Sequence, residues 1–92
     1  MPDLSFTVNS DATASIHDDG IVILQVRTGC LYTSNRIGSC IWRGIERRMA
    51  LDEVAKEISD TYQIARSTAK EHTVRFVGEL ERHALIQREV VS

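Results

Sequence analysis

The sequence lacks any block of basic residues. Its 11 Lys and Arg face 13 Asp and Glu, leaving a formal charge of −2 with both signs spread along the chain. Nucleic acid and anionic membranes therefore gain no electrostatic footing, because both are held by clustered positive charge. Long apolar runs are missing too, so no segment reaches the roughly 20 residues that a spanning helix needs. The opening MPDLSFTVNS has neither the basic flank nor the apolar run of a secretory signal. Cysteine is scarce: Cys30 and Cys40 form no CxxC pair, and His17, His72 and His83 are scattered. That excludes a zinc site built on clustered ligands, and free, half-buried thiols are expected in a reducing cytoplasm. No nucleophile stands with a base, and no carboxylate pair stands at a catalytic spacing. The adjacent Asp18 and Asp19 belong to a turn signal. Neither an enzyme nor a cofactor is expected.

What is present is enough for one core. At 92 residues, 42% hydrophobic and 26% charged, the chain is globular in composition and too short for two domains. Its period changes near residue 34. Before that point β-branched residues and turn signals dominate. A strand is expected over Thr13 to His17, followed by an Asp18-Asp19-Gly20 hairpin turn. Ile21 to Val26 is the strongest strand, and its near-continuous apolar run predicts a central strand covered on both faces, with Val22 and Leu24 in the core. Thr28-Gly29 turns the chain into a short third strand, Cys30 to Thr33, at the edge of an antiparallel meander.

After residue 34 the pattern is helical. Asn35 or Ser34 caps a helix running to about Arg48, with Ile37, Ile41, Trp42 and Ile45 on one face. A second helix is expected over Leu51 to Tyr62. Thr68 and Glu71 form a capping box for a third, which carries Ala69, Thr73, Phe76, Val77 and Leu80 and ends near His83. Leu85-Ile86 then plugs back into the core. The expected fold class is α+β, a winged helix-turn-helix with a three-stranded antiparallel sheet followed by three helices. Residues 1–11 are expected to be a flexible segment, 12–88 the single domain, and 89–92 a tail.

From about Asp19 to Ile86 these features resemble the PqqD-like family, the RiPP recognition elements. The resemblance rests on the apolar strand Gly20 to Val26, and on Thr28-Gly29 followed by Leu31-Tyr32. It rests also on Asn35, Gly38 and Ile41-Trp42 at a helix opening, on Leu51 to Ile58, and on Phe76-Val77, Leu80 and Leu85-Ile86. Ser34 stands where the family often has Leu, and Ala50 where a Ser or Thr cap is common. The resemblance implies a non-catalytic module that binds the leader segment of a ribosomally synthesised precursor peptide. The leader would add as a strand beside the third strand, against the third helix. The module would then present it to a radical SAM enzyme, as in pyrroloquinoline quinone biosynthesis, or to a leader protease or cyclase, as in lasso-peptide pathways.

The residues themselves bear on that site. Cys30, Leu31, Tyr32, Thr33 and Ser34 carry no Lys, Pro or bulge to blunt an edge, so an extended peptide can pair there. Alternation sends one of Leu31 and Tyr32 inward and leaves open which. His72, Arg75, Phe76 and Glu79 follow the i, i+3, i+4, i+7 spacing of one helical stripe. Against this, Phe76 also fits ordinary core packing, and Arg75 with Glu79 fits a solvated ion pair. Trp42 reads as filler between helix and sheet. Two other functions fit the same fold: a DNA-binding regulator, weakened by Glu71, Glu79 and Glu81 on the third helix, and a dimerisation module pairing through the same strand. A monomer and a homodimer are both compatible with the sequence.

Overall fold

The computed structural model describes residues 3–91, with side chains described over 6–88; Met1, Pro2 and Ser92 lie outside the described residues. In chain order the elements are β1 (Asp3–Val8), β2 (Ala12–His17), β3 (Gly20–Gln25), β4 (Cys30–Ser34), α1 (Arg36–Glu46), α2 (Leu51–Tyr62), α3 (Arg66–Arg82) and β5 (Ile86–Val91). The expected meander is present as a three-stranded antiparallel sheet in the order β2-β3-β4, followed by the three helices of a winged helix-turn-helix.

The first hairpin is tight because His17 pairs with Gly20, leaving only Asp18 and Asp19 in the loop. Gly20 is required by close approach: a Cβ there would collide with the Ser34 carbonyl oxygen. Pairing of Ile21 with Ser34, Ile23 with Tyr32 and Gln25 with Cys30 sets the register of β4. The second hairpin closes through the Gly29 N–H on the Gln25 carbonyl at 2.8 Å, with Gly29 at φ +75°.

The apolar run of β3 is not covered equally on its two faces. Ile21, Ile23 and Gln25 are buried under the helices, whereas Val22 and Leu24 are half-buried on the other side. The helical core lies on the Ile21–Ile23 face of the sheet, so strand alternation leaves Val22 and Leu24 outward rather than in the core. Val26 lies past the strand and is exposed. The buried Gln25 is hydrogen-bonded at both its amide nitrogen and its amide oxygen. Its amide nitrogen donates to the Ala84 carbonyl at 3.0 Å, and its amide oxygen accepts from the Arg27 N–H at 2.9 Å. It therefore ties the second hairpin to the far end of α3.

Asn35 caps α1 as expected, its side-chain oxygen accepting from the Gly38 N–H at 3.1 Å. Ala50 offers no capping oxygen to α2, yet Glu53 reaches back to the Ala50 N–H at 3.3 Å and supplies half of a capping box. The third helix begins earlier than the Thr68–Glu71 pattern suggests. Ala65 is its N-cap, and Thr68 is an exposed residue of the first turn. Its inward stripe is as expected, with Ala69, Thr73, Phe76, Val77 and Leu80 all buried. Thr73 satisfies its hydroxyl by donating to the Ala69 carbonyl at 2.8 Å.

Each helix ends on a residue with positive φ, none of them glycine: Arg48, Gln63 and Ala84. The following N–H reaches back in each case, from Met49 to Gly44, Ile64 to Ser59 and Leu85 to Leu80. This is the Schellman arrangement, and after α3 it drives Leu85 and Ile86 into the core.

The N-terminal segment, expected to be flexible, is a strand instead. β1 pairs antiparallel with β5 from Asp3↔Val91 to Val8↔Ile86, so residues expected to lie in a loose start and a loose tail hold each other. Phe6 is buried by this pairing, with the Arg88 guanidinium 5.8 Å from its ring centre. Trp42 is buried on α1 in the same core cluster.

Candidate groove between the edge strand and the third helix

β4 pairs only with β3 among the described residues, so its other edge carries unpaired N–H and C=O groups. Its register decides the choice between Leu31 and Tyr32. Cys30, Tyr32 and Ser34 stand opposite Gln25, Ile23 and Ile21, the helix-facing residues of β3. Tyr32 therefore turns toward α3, whereas Leu31 is 68% exposed on the outward face and Thr33 is exposed beside it.

Tyr32 spans the gap between strand and helix. Its ring is 5.9 Å from Phe76 and 5.4 Å from His83, tilted against both. The hydroxyl donates to the Glu79 carboxylate. Burial, then this hydrogen bond and the Glu79 charge, push the phenol up to about 12, against a smaller opposing effect of Arg82. The phenol is therefore neutral and a donor at any physiological pH. The alternative to a site role for Arg75 and Glu79 was a solvated ion pair between them. Arg75 instead binds Glu71 at 3.1 Å, one turn earlier. A carboxylate four residues N-terminal to its cation is the better-oriented helical pair, and this frees Glu79 for the strand.

On the Ser34 side of Tyr32 a groove of about 140 Å³ opens between α1 and α3. His72, Arg75, Phe76 and Glu79 line one wall, so the whole expected stripe and Ser34 converge here. Phe76 serves both readings at once, being 9% exposed with its remaining surface in the groove. The opposite wall comes from Asn35, Ile37 and Ile41, expected in capping and on the inward helix face, together with Gly38. Gly38 keeps the groove open: a Cβ there would collide with the Ser34 side chain and lie 3.2 Å from Phe76. On the Cys30 side a second depression of about 140 Å³ is lined by Cys30, Leu31 and Tyr32 with Gln25, His83 and Leu85. The last three were not expected at the site. His83 and Leu85 lie past the helical stripe, and only the Schellman turn brings them back to the strand.

The groups gathered here offer main-chain hydrogen bonds, apolar surface and a few charged contacts. Among the described residues no group of His, Cys, Asp and Glu could hold a metal ion. Cys30 is exposed and Cys40 half-buried, both as free thiols. Cys40 lies 3.6 Å from the Tyr62 hydroxyl, a contact that together with burial raises the Tyr62 phenol. No helix among the described residues is long and apolar enough to cross a membrane.

The family of coenzyme PQQ synthesis protein D (PqqD) matches residues 20–86. Two solved structures share the fold. TbiB1 in complex with the TbiA(beta) leader peptide is 23% identical, with 88% of this chain and 94% of that chain covered at a TM-score of 0.80. Lasso peptide synthetase B1 complexed with the leader peptide is 19% identical, with 90% and 98% covered at 0.81. No curated relative matches the chain.

Proposed function

The chain belongs to the PqqD family, and from that membership we propose that it captures the leader segment of a ribosomally made precursor peptide and presents it to a modifying enzyme. The observation that carries this reading is the open edge of β4 running beside a groove walled by α3. An extended peptide adds there as a fourth strand, gaining main-chain hydrogen bonds from Cys30 to Ser34, while alternate side chains meet Tyr32, His72, Arg75, Phe76 and Glu79. Leu31 and Thr33 flank the guest on the outward face. Both of these solved structures carry a leader peptide, which supports the same use here. The protein acts as a cytoplasmic peptide chaperone of natural-product biosynthesis and performs no chemistry itself. A radical SAM enzyme or a leader protease or cyclase receives the loaded leader.

The test is a titration of isotope-labelled protein with the leader of the precursor encoded nearby. Saturable amide shifts are expected at Cys30 to Ser34 and along His72 to Glu79, with affinity near the micromolar level, about −8 kcal/mol. A saturating leader that moves none of these amides refutes strand addition.

A further inference from the structure

We propose that the two depressions beside β4 read a leader as two apolar side chains four residues apart, with a small residue midway. The inference rests on the strand-addition reading and adds what that strand must carry. In an added strand, the residues opposite Cys30, Tyr32 and Ser34 point to the same face as those residues do. Successive residues on one face are about 7 Å apart, so the positions opposite Cys30 and Ser34 are separated by about 14 Å. One depression lies at each of these ends.

At the Ser34 end Ile37, Ile41 and Phe76 supply the apolar surface beside Gly38, while His72, Arg75 and Glu79 border it with polar groups. At the Cys30 end, Leu85 is the buried apolar wall and Tyr32 and His83 flank the opening. Each depression measures about 140 Å³, and an apolar cavity of about 150 Å³ holds a benzene molecule. Each therefore takes one side chain of leucine or phenylalanine size. Between them the helix-ward space is already filled. The Tyr32 ring lies against Phe76 and His83, and its hydroxyl is bound to Glu79. A guest residue opposite Tyr32 must be glycine, alanine or serine to pass over it. The intervening guest residues face outward with Leu31 and Thr33 and are not read. The spacing holds for a parallel or an antiparallel guest, because the side-chain period of two is the same in both.

The full chain would be used to select binders from a displayed random library of peptides about twelve residues long, enough to span both depressions. Binding to β4 is established by amide shifts at Cys30 to Ser34. Selected peptides are expected to carry apolar residues four apart around a small residue. Replacing either apolar residue by serine should weaken binding about tenfold or more, and inserting one residue between them should do the same. His83→Trp, at an exposed position, fills the Cys30-end depression and should abolish the apolar preference at that position alone. Binders that shift the β4 amides but show another spacing, or tolerate the insertion, overturn this inference and leave strand addition standing. A selection that yields no peptide acting on β4 overturns both.

Discussion

Removing one oxygen atom tests whether Tyr32 is the strut that holds the edge strand to α3. In Tyr32→Phe the ring keeps its contacts with Phe76 and His83, and only the hydrogen bond to Glu79 is lost. A hydrogen bond to a charged acceptor contributes about 1.5–3 kcal/mol when buried, and the half-buried setting of Tyr32 reduces this to about 1 kcal/mol. The raised phenol sets the pH at which this contribution disappears. Its rise from 10.0 to about 12 means that the fold favours the neutral form. Because the folded value lies above the unfolded one, this stabilisation is complete below pH 10 and is lost as pH rises toward 12. Urea denaturation should therefore place the Tyr32→Phe midpoint about 0.5–1 M below wild type near neutral pH. The two midpoints should converge toward about pH 11 as only the wild type loses its contribution. Tyr62 is present in both proteins, so its own raised phenol cancels. Equal midpoints at neutral pH, or parallel curves through the alkaline range, would refute the strut.

Three stability changes follow from backbone and polar geometry. Gly78 is exposed inside α3, and a Cβ there meets nothing within 4 Å. Gly78→Ala should therefore stabilise the protein by about 0.8–1 kcal/mol, seen as a higher thermal midpoint. Gln63 holds φ +56° at the end of α2; Gln63→Gly should add about 0.5–1 kcal/mol by relieving left-handed strain, and a loss of stability would contradict that account. Gln25→Ala deprives the Arg27 N–H and the Ala84 carbonyl of a buried partner. It should cost about 1–3 kcal/mol in chemical denaturation and speed amide exchange at the β3–β4 turn.

Where a feature announces itself by local chemistry, the chain is legible. The Asp18-Asp19 turn, the Asn35 cap, the limits of α2 and the His72–Glu79 stripe all follow from residues within one or two turns of each other. The unexpected features depend on partners distant in sequence. β1 is a strand because β5 lies beside it, more than seventy positions later; Leu4, Phe6 and Val8 alternate as an edge would, but nothing local names the distant partner. β3 reads as covered on both faces because an unbroken apolar run has no alternation to reveal that only the Ile21–Ile23 side is. The start of α3 was misplaced because Thr68 and Glu71 satisfy a capping pattern that Ala65 preempts without a cap of its own. In the groove, Gly38 works by having no side chain, so composition alone assigns it no role.

The shared architecture leaves one rival to be tested directly, since α3 occupies the place of a DNA-reading helix. Such a helix binds by releasing counterions, and the affinity falls with log salt at a slope of about −0.9 per phosphate neutralised. Here two of the four cations on that helix, Lys70 and Arg75, are already engaged in ion pairs. Lys70 reaches Asp52 at 3.3 Å and Arg75 reaches Glu71 at 3.1 Å, while Glu81 at the end of the helix holds Arg88 at 3.1 Å. Glu79 faces the groove, where a phosphate would meet its charge. A random-sequence duplex should therefore show no saturable binding at about 0.1 M salt, weaker than the roughly 10⁻⁴–10⁻⁶ M of ordinary non-specific DNA binders. The positive control is a double reversal, Asp52→Lys with Glu71→Lys, which removes both carboxylates and adds two cations on exposed sites. That variant should acquire salt-dependent retention on DNA while its β4 amides still respond to leader peptide. Saturable duplex binding by the wild-type protein, with a slope of several phosphates, would show that these ion pairs do not silence the helix and would return DNA binding to contention.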